Sequence, residues 1–349
     1  MKTAYFLIPG DPDARTGGYR YDRRIMDGLG NLGWRVMLRR LSATFPQPDA
    51  AALRAADAAL AELPDRALII IDGLALGAMP DVVAAHRERL RLVGLVHHPL
   101  ALETGLDEPQ RQQLYASERE ALRHVRQVIV TSPSTARALA DYAVAPEHCA
   151  VVLPGTDPAP LANGSGCAKQ ALLCVASLTP RKGHAVLFRA LAWLKQFEWR
   201  LRCAGSPAFD PPTAASLQAL IRELGLTDRI ELLGELDHEA LAVAYQQADV
   251  FVLPSFHEGY GMALAEALAR GLPILSTTAG AIPDTVPADA GLLTPPGDVA
   301  ALTEALARVL NEPELRRKLA AGARAARHTL PDWPQACTRF AAALQAVRG

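Results

Sequence analysis

Two glutamates with seven residues between them, Glu258 and Glu266, bracket a glycine turn in PSFHEGYGMALAEALARGLPILSTTAGAIP, residues 254–283. Carboxylates accept hydrogen bonds from vicinal hydroxyls, so the pair suits a ligand carrying a sugar at one end and a ribose at the other. Gly259 and Gly261 flank Tyr260 where the chain must turn, and without a Cβ they let a ligand approach the backbone amides of Tyr260, Gly261, Met262 and Ala263. Those amides open a helix, whose start offers unpaired N–H groups and partial positive charge to an anion. A second cluster reads LTPRKGH, residues 178–184, and places the cations Arg181 and Lys182 side by side. Next to a diphosphate they would neutralise the charge that grows on a departing nucleotide. His97 and His98 follow an apolar run and open HHPLALETGL, with Glu103 in the same loop. Gly17 and Gly18 lie beyond the first apolar run, where small residues leave room for a phosphate or an acceptor.

These residues need a scaffold that ends strands beside them. Val250 to Leu253 is a short apolar strand stopped by Pro254, and Ala263 to Ala269 is rich in alanine and leucine, a helix composition. Further apolar runs at 4–8, 34–38, 67–71, 91–96 and 126–130 alternate with amphipathic stretches. A second series begins at 171–175 and continues at 199–204, 229–233, 249–253 and 272–276. Such alternation predicts α/β architecture with parallel sheets, in two doubly wound, Rossmann-like domains. Pro158, Pro160, Asn163, Gly164, Ser165 and Gly166 suit an exposed linker over 155–168. The domains are thus expected at 1–160 and 161–330. Ligands of open α/β sheets bind beyond the carboxyl ends of the strands, where every motif above falls, so the site is expected in a cleft between the domains. Trp333, Cys337, Phe340, Leu344 and Val347 form an apolar stripe on a last helix within 331–349.

Composition sets limits. At 349 residues, half hydrophobic, the chain can build two cores. Its 36 Lys and Arg against 37 Asp and Glu give no reason to expect a nucleic-acid partner. The five cysteines contain no CxxC pair, which argues against a zinc site and suits a reducing cytoplasm. The first 40 residues hold 8 Lys or Arg against 4 Asp, so Arg20, Arg23 and Arg24 leave room for a weak peripheral membrane contact, although a solvated helix face accounts for them as well. GLGNLG, residues 28–33, matches a dinucleotide fingerprint in reverse context: Gly33 ends a helix and precedes a strand. Asp11-Pro12-Asp13 reads as a turn, and no metal is expected.

The 254–283 string, together with Gly17-Gly18, Gly33, His97, Lys182-Gly183 and Gly280, resembles glycosyltransferase family 4, the retaining nucleotide-sugar transferases of the GT-B fold, over nearly the whole chain. The resemblance implies GT-B architecture, with an acceptor-side first domain, a donor-side second domain and a last helix that crosses back to the first. It also implies catalytic roles for Glu258, His97, Lys182 and Arg181. Glu258 and His97 would meet the donor sugar and Glu266 the ribose, while the amides from Tyr260 to Ala263 and the Lys182 cation would hold the diphosphate. Ser177 stands where the family carries an arginine, a share that Arg181 would take. The expected donor is a UDP- or GDP-sugar with no permanently bound cofactor. The acceptor would be a glycan, a lipid-linked saccharide or a small metabolite. The implied reaction is metal-independent, and the acceptor hydroxyl attacks the face that the diphosphate leaves. Two other readings stay open: a sugar-nucleotide epimerase on this architecture, and a nucleotide-sugar-binding protein without activity.

Overall fold

The computed structural model describes residues 2–167 and 169–347. Ala168, at the end of the expected linker, and Arg348 and Gly349, at the end of the expected last helix, lie outside the described residues. The chain forms two compact units, one running up to Gly155 and resuming at Pro331, the other spanning Thr156–Leu330.

The first unit runs β1 (Lys2–Pro9), α1 (Gly17–Asn31), β2 (Trp34–Leu41), α2 (Ala50–Ala61), β3 (Leu68–Asp72), α3 (Gly73–Leu76), α4 (Pro80–His86), β4 (Arg91–Val96), α5 (Glu108–Leu122), β5 (Gln127–Val130), α6 (Pro133–Ala138) and β6 (Cys149–Val151). Its sheet is parallel, in the order β2-β1-β3-β4-β5-β6. Strands β3 and β4 read LIIID and RLVGLV because a parallel strand is covered on both faces and has no polar side to alternate. The second unit contains β7 (Gln170–Val175), α7 (His184–Ala192), β8 (Trp199–Ala204), α8 (Pro211–Glu223), β9 (Ile230–Gly234), α9 (His238–Gln246), β10 (Val250–Leu253), α10 (Met262–Ala269), β11 (Ile274–Thr277), α11 (Ile282–Thr285), β12 (Gly291–Thr294), α12 (Val299–Asn311) and α13 (Pro313–Ala326). Its sheet order is β12-β11-β10-β7-β8-β9, again parallel. Both sheets are Rossmann-like and the architecture is GT-B.

The last helix, α14 (Trp333–Ala346), belongs to the first unit. Phe340 stacks on Phe6 of β1 with ring centroids 6.1 Å apart and tilts against Tyr21 of α1 at 6.4 Å. Arg24 lies over the Trp333 ring at 4.9 Å. Helices α1 and α14 need a small residue where they cross, since a Cβ on Gly28 would overlap Cys337 Sγ, and a Cβ on Gly155, in the chain beyond β6, would overlap the Trp333 backbone.

Two features depart from expectation. Strands β6 and β12, at an edge of each sheet, are two strands the apolar runs named above do not include. The 155–168 stretch is also more tightly bound than a linker. Ala162 N–H donates to Arg270 O at 2.9 Å, Asn163 and Gly164 N–H both donate to Gln246 O, and Ser165 N–H donates to Asp249 Oδ1 at 3.0 Å. Its prolines and glycines shape a strap laced onto the second unit, because a backbone laid on a surface must pair its N–H groups.

Candidate functional site

A doubly wound sheet opens a crevice where the strand order reverses, since the loops on either side of that point leave in opposite directions. In the second sheet the reversal falls between β7 and β10, which pair at Val250 with Leu172. The loops that follow these two strands carry Arg181-Lys182 and Glu258. They are joined twice: Phe256 N–H donates to Arg181 O at 2.8 Å, backbone to backbone, and the Arg181 guanidinium donates to His257 O at 3.0 Å. Gly183, in the left-handed region at φ 71°, is required here, because a Cβ would overlap Pro254 O. Gly280 has the same duty on the other side, where a Cβ would overlap Glu258 O, and the next amide, Ala281 N–H, donates to that carbonyl at 2.9 Å.

At the centre Lys182 Nζ donates to Glu258 Oε1 at 2.7 Å, and Ser255 Oγ donates to the same oxygen at 2.6 Å. Arg181 Nη1 stands 3.9 Å from Glu258 Oε2. Glu258 is buried, which alone would raise its carboxyl, but Lys182 and then Arg181 outweigh the burial and hold it below the usual range. Beyond it, Gly261 at φ 87° turns the chain into α10, which has no side-chain cap. Leu264 N–H already donates to Gly261 O at 2.9 Å, and the amides of Met262 and Ala263 stand ahead of it at the helix start, the position where helices take anions. Glu266 sits one turn along α10, where Tyr245 Oη donates to its Oε2 at 3.0 Å and the Arg270 guanidinium lies 4.3 Å over the Tyr245 ring. Tyr260 is buried, its phenol pushed up to about 12 by that burial, and its carbonyl accepts from Thr285 Oγ1 at 2.6 Å. The second unit therefore collects Arg181, Lys182, Glu258, Gly259, Tyr260, Gly261, Met262, Ala263 and Glu266 in two adjoining loops and one helix start. Ser255 and Tyr245, which hold the two carboxylates, had no sequence signal beyond their types.

The first unit builds a separate cluster at its own reversal, between β1 and β3. His97, just past β4, points Nε2 at Asp22 Oδ1 at 3.1 Å and at Asp72 Oδ2 at 3.6 Å. Both carboxylates are buried, Asp22 completely. Burial would lower the His97 imidazole, yet Asp22 and Asp72 overcome it and raise it well into the charged form, while burial raises Asp22. Tyr21 meets the ring edge-on at 5.5 Å. Gly18 lies against the same ring: a Cβ there would come within 3.3 Å of His97 Cδ2. Gly17 starts α1 behind the Thr16 cap, where Thr16 Oγ1 accepts from Tyr19 N–H at 3.4 Å. His98 is turned to Glu103, 3.3 Å away. Asp22 and Asp72 carry no motif, being single acids on a helix and at a strand end.

Asp13 N–H donates to Asp11 Oδ1 at 3.0 Å, so Asp11-Pro12-Asp13 is a turn. Arg23 is engaged there as well, at 3.1 Å from Pro12 O and 3.6 Å from Asp13. Among the described residues no helix is long and apolar enough to cross a membrane. Among the described residues, two groups have donor atoms close enough to hold an ion: Asp22, Asp72 and His97, and separately Cys174, His184 and Cys203. In the first, the imidazolium already answers the carboxylates.

Residues 163–326 match the model of the group 1 glycosyl transferases, and residues 17–160 match that of glycosyltransferase family 4. The MMP alpha-(1->4)-mannosyltransferase of Mycolicibacterium hassiacum is 31% identical over 298 residues, which cover 80% of this chain and 71% of that protein. A D-inositol 3-phosphate glycosyltransferase of Saccharomonospora viridis is 32% identical over 244 residues, 64% of this chain and 56% of its own length. In fold, the chain superimposes on sucrose-phosphate synthase (tll1590) from Thermosynechococcus elongatus with a TM-score of 0.82 at 24% identity, covering 98% of each chain. It superimposes on Anabaena Alr3699/HepE, solved in complex with UDP and glucose, with a TM-score of 0.77 at 18% identity, covering 98% of this chain and 99% of that one.

Proposed function

The chain belongs to glycosyltransferase family 4 and is a glycosyltransferase of the GT-B fold, and from that premise we propose that it moves a sugar from a nucleoside diphosphate to an acceptor hydroxyl, retaining anomeric configuration and needing no metal. The observation that carries this reading is the pairing of Lys182 with Glu258 across two loops locked together at the sheet reversal, beside an uncapped helix start.

In the proposed reaction the diphosphate lies on the first-turn amides of α10. Lys182 and Arg181 meet the charge that develops as the bond from sugar to phosphate breaks. Glu258, anchored by Ser255, takes a hydroxyl of the donor sugar, and Glu266, anchored by Tyr245, takes the ribose diol. His97 acts as an imidazolium: Asp22 and Asp72 occupy Nε2 and leave Nδ1–H to donate. No side-chain nucleophile is assigned, and the acceptor's proton passes to a departing phosphate oxygen. Gly17 and Gly18 keep the surface beside His97 bare. The domains are assigned as 1–160 on the acceptor side, 161–330 on the donor side and 331–349 as the returning helix. The donor is a UDP- or GDP-sugar; UDP is the nucleotide in the HepE complex. The acceptor class is a glycan, a lipid-linked saccharide or a small metabolite, and the relative named for D-inositol 3-phosphate favours the last. Five free cysteines suit the cytoplasm.

The test is release of nucleoside diphosphate from a panel of nucleotide sugars, with and without polyol and glycan acceptors, with the product's anomeric configuration read by NMR. Acceptor-dependent release with a retained anomer supports the proposal. A changed sugar nucleotide without acceptor would indicate an epimerase, and binding without turnover an inactive protein. An inverted product would refute retention.

A further inference from the structure

Directly behind the Arg181-Lys182 loop, three soft donors converge in the core of the second unit. Cys174 on β7 and Cys203 on β8 are register partners in adjacent parallel strands, so their side chains leave the same face of the sheet. His184 is the first residue of α7, aimed at that face by the left-handed turn at Gly183. Its Nε2 lies 3.6 Å from Cys174 Sγ, and the donor atoms of all three residues lie within 4.8 Å of one another. None is more than 1% exposed.

We propose that Cys174, His184 and Cys203 form a binding site for a zinc(II) ion, which ties β7 and β8 to the start of α7 behind the phosphate loop. The spacing fits: bonds of about 2.3 Å to sulfur and 2.0–2.1 Å to nitrogen at tetrahedral angles put ligand atoms roughly 3.5–3.8 Å apart. Charge fits as well, since two thiolates and one divalent ion sum to zero, the balance a buried site favours over a net charge. The alternative for these groups is poor. A thiol is a weak hydrogen-bonding partner, and His184 Nδ1 is buried with no partner, so little in the apolar surroundings of Phe188 and its neighbours offsets the desolvation of an imidazole. Three protein ligands leave one position for a non-protein ligand. Cys174, His184 and Cys203 are not among the residues assigned to the sugar donor, so the ion's role would be to fix the loop's footing and the site stands independently of the transfer reading.

The experiment is metal analysis of the intact protein, followed by removal of metal with chelator and titration with zinc(II) or cobalt(II) alone. The expected result is about one ion per chain, with a cobalt spectrum carrying thiolate charge-transfer bands at tetrahedral intensity. Cys203→Ala should lose those bands and weaken zinc binding roughly 100-fold or more. Cys149→Ser and Cys337→Ser, which alter cysteines outside the trio, should keep the bands. Folded wild-type protein that takes up no stoichiometric zinc, or bands that vanish in Cys149→Ser or Cys337→Ser, would overturn the proposal even if Cys203→Ala fails to fold.

Discussion

Replacing Lys182 by methionine removes the cation nearest Glu258 while keeping the length of its side chain. The pair is 2.7 Å apart with side chains 16% and 8% exposed, so it is weakly screened. At an effective dielectric constant near 20 the direct attraction is about 6 kcal/mol, most of it offset by desolvating two ions. What survives is a charge-assisted hydrogen bond with a net contribution of about 1.5–3 kcal/mol. Arg181 at 3.9 Å and Ser255 remain, so Glu258 keeps part of its compensation and the second unit should still fold. Calorimetric unfolding of the wild type, Lys182→Met, Glu258→Gln and the double variant forms a cycle, and its coupling should come out at about 1.5–3 kcal/mol. Sugar transfer by Lys182→Met should fall about 10²–10³-fold, the loss that follows when one group stabilising a developing negative charge is removed. The pH dependence has a definite sign. Because Glu258 is held below the ordinary range, its contribution is present in full above about pH 5 and disappears as the pH falls through the folded value. The stability gap between wild type and Glu258→Gln should therefore be level near neutrality and close in acid. Coupling below about 0.5 kcal/mol, or a Lys182→Met variant that transfers sugar at the wild-type rate, would refute the reasoning.

Three further outcomes follow from the first unit. Glu118, buried with Oε2 accepting from Leu100 N–H at 2.8 Å, is pushed up to about 8 by that burial. The folded state then holds a proton the unfolded chain releases, so this residue should cost stability progressively between about pH 4.5 and 8, and Glu118→Gln should gain in thermal unfolding temperature over the wild type across that window and level off above it. Gly18→Ala should fold as well as the wild type, helped by helix propensity of up to about 1 kcal/mol, yet lose transfer activity because its methyl group crowds His97. Phe340→Ala, which empties the space between β1 and α1, should destabilise the first unit by about 3–5 kcal/mol in a chemical denaturation curve.

How much of this was legible in the sequence depends on whether a feature is local. The buried strands announced themselves because a parallel strand covered on both faces is one continuous apolar run, as in Leu68–Asp72 and Val250–Leu253. Glycine turns were equally plain: Gly33 at φ 80° ends α1 and Gly261 opens α10. Strand β6, CAV at a partly exposed edge, pairs on one side only, so the run CAVVL over 149–153 ends as a three-residue strand. The Pro- and Gly-rich stretch over 155–168 has a linker's composition, but its hydrogen bonds to Gln246, Asp249 and Arg270 join residues far apart in the chain. The same holds for the groups that tune the site. Asp22 and Asp72 reach His97 only because β3 and β4 lie side by side and α1 brings Asp22 to the residue just past β4, and Cys174 meets Cys203 only through strand register, so the absence of a CxxC pair said nothing about that cluster.

The central claim is that the second unit holds a nucleoside diphosphate through the α10 start, with Glu266 on the ribose. The most direct measurement is thermal unfolding of wild type and Glu266→Ala against a panel of nucleoside diphosphates. One of them, at 100 times its dissociation constant, should stabilise the wild type by about 2.7 kcal/mol and leave the variant almost unmoved. If no nucleotide stabilises the wild type, or if Glu266→Ala is stabilised just as strongly, the assignment is contradicted.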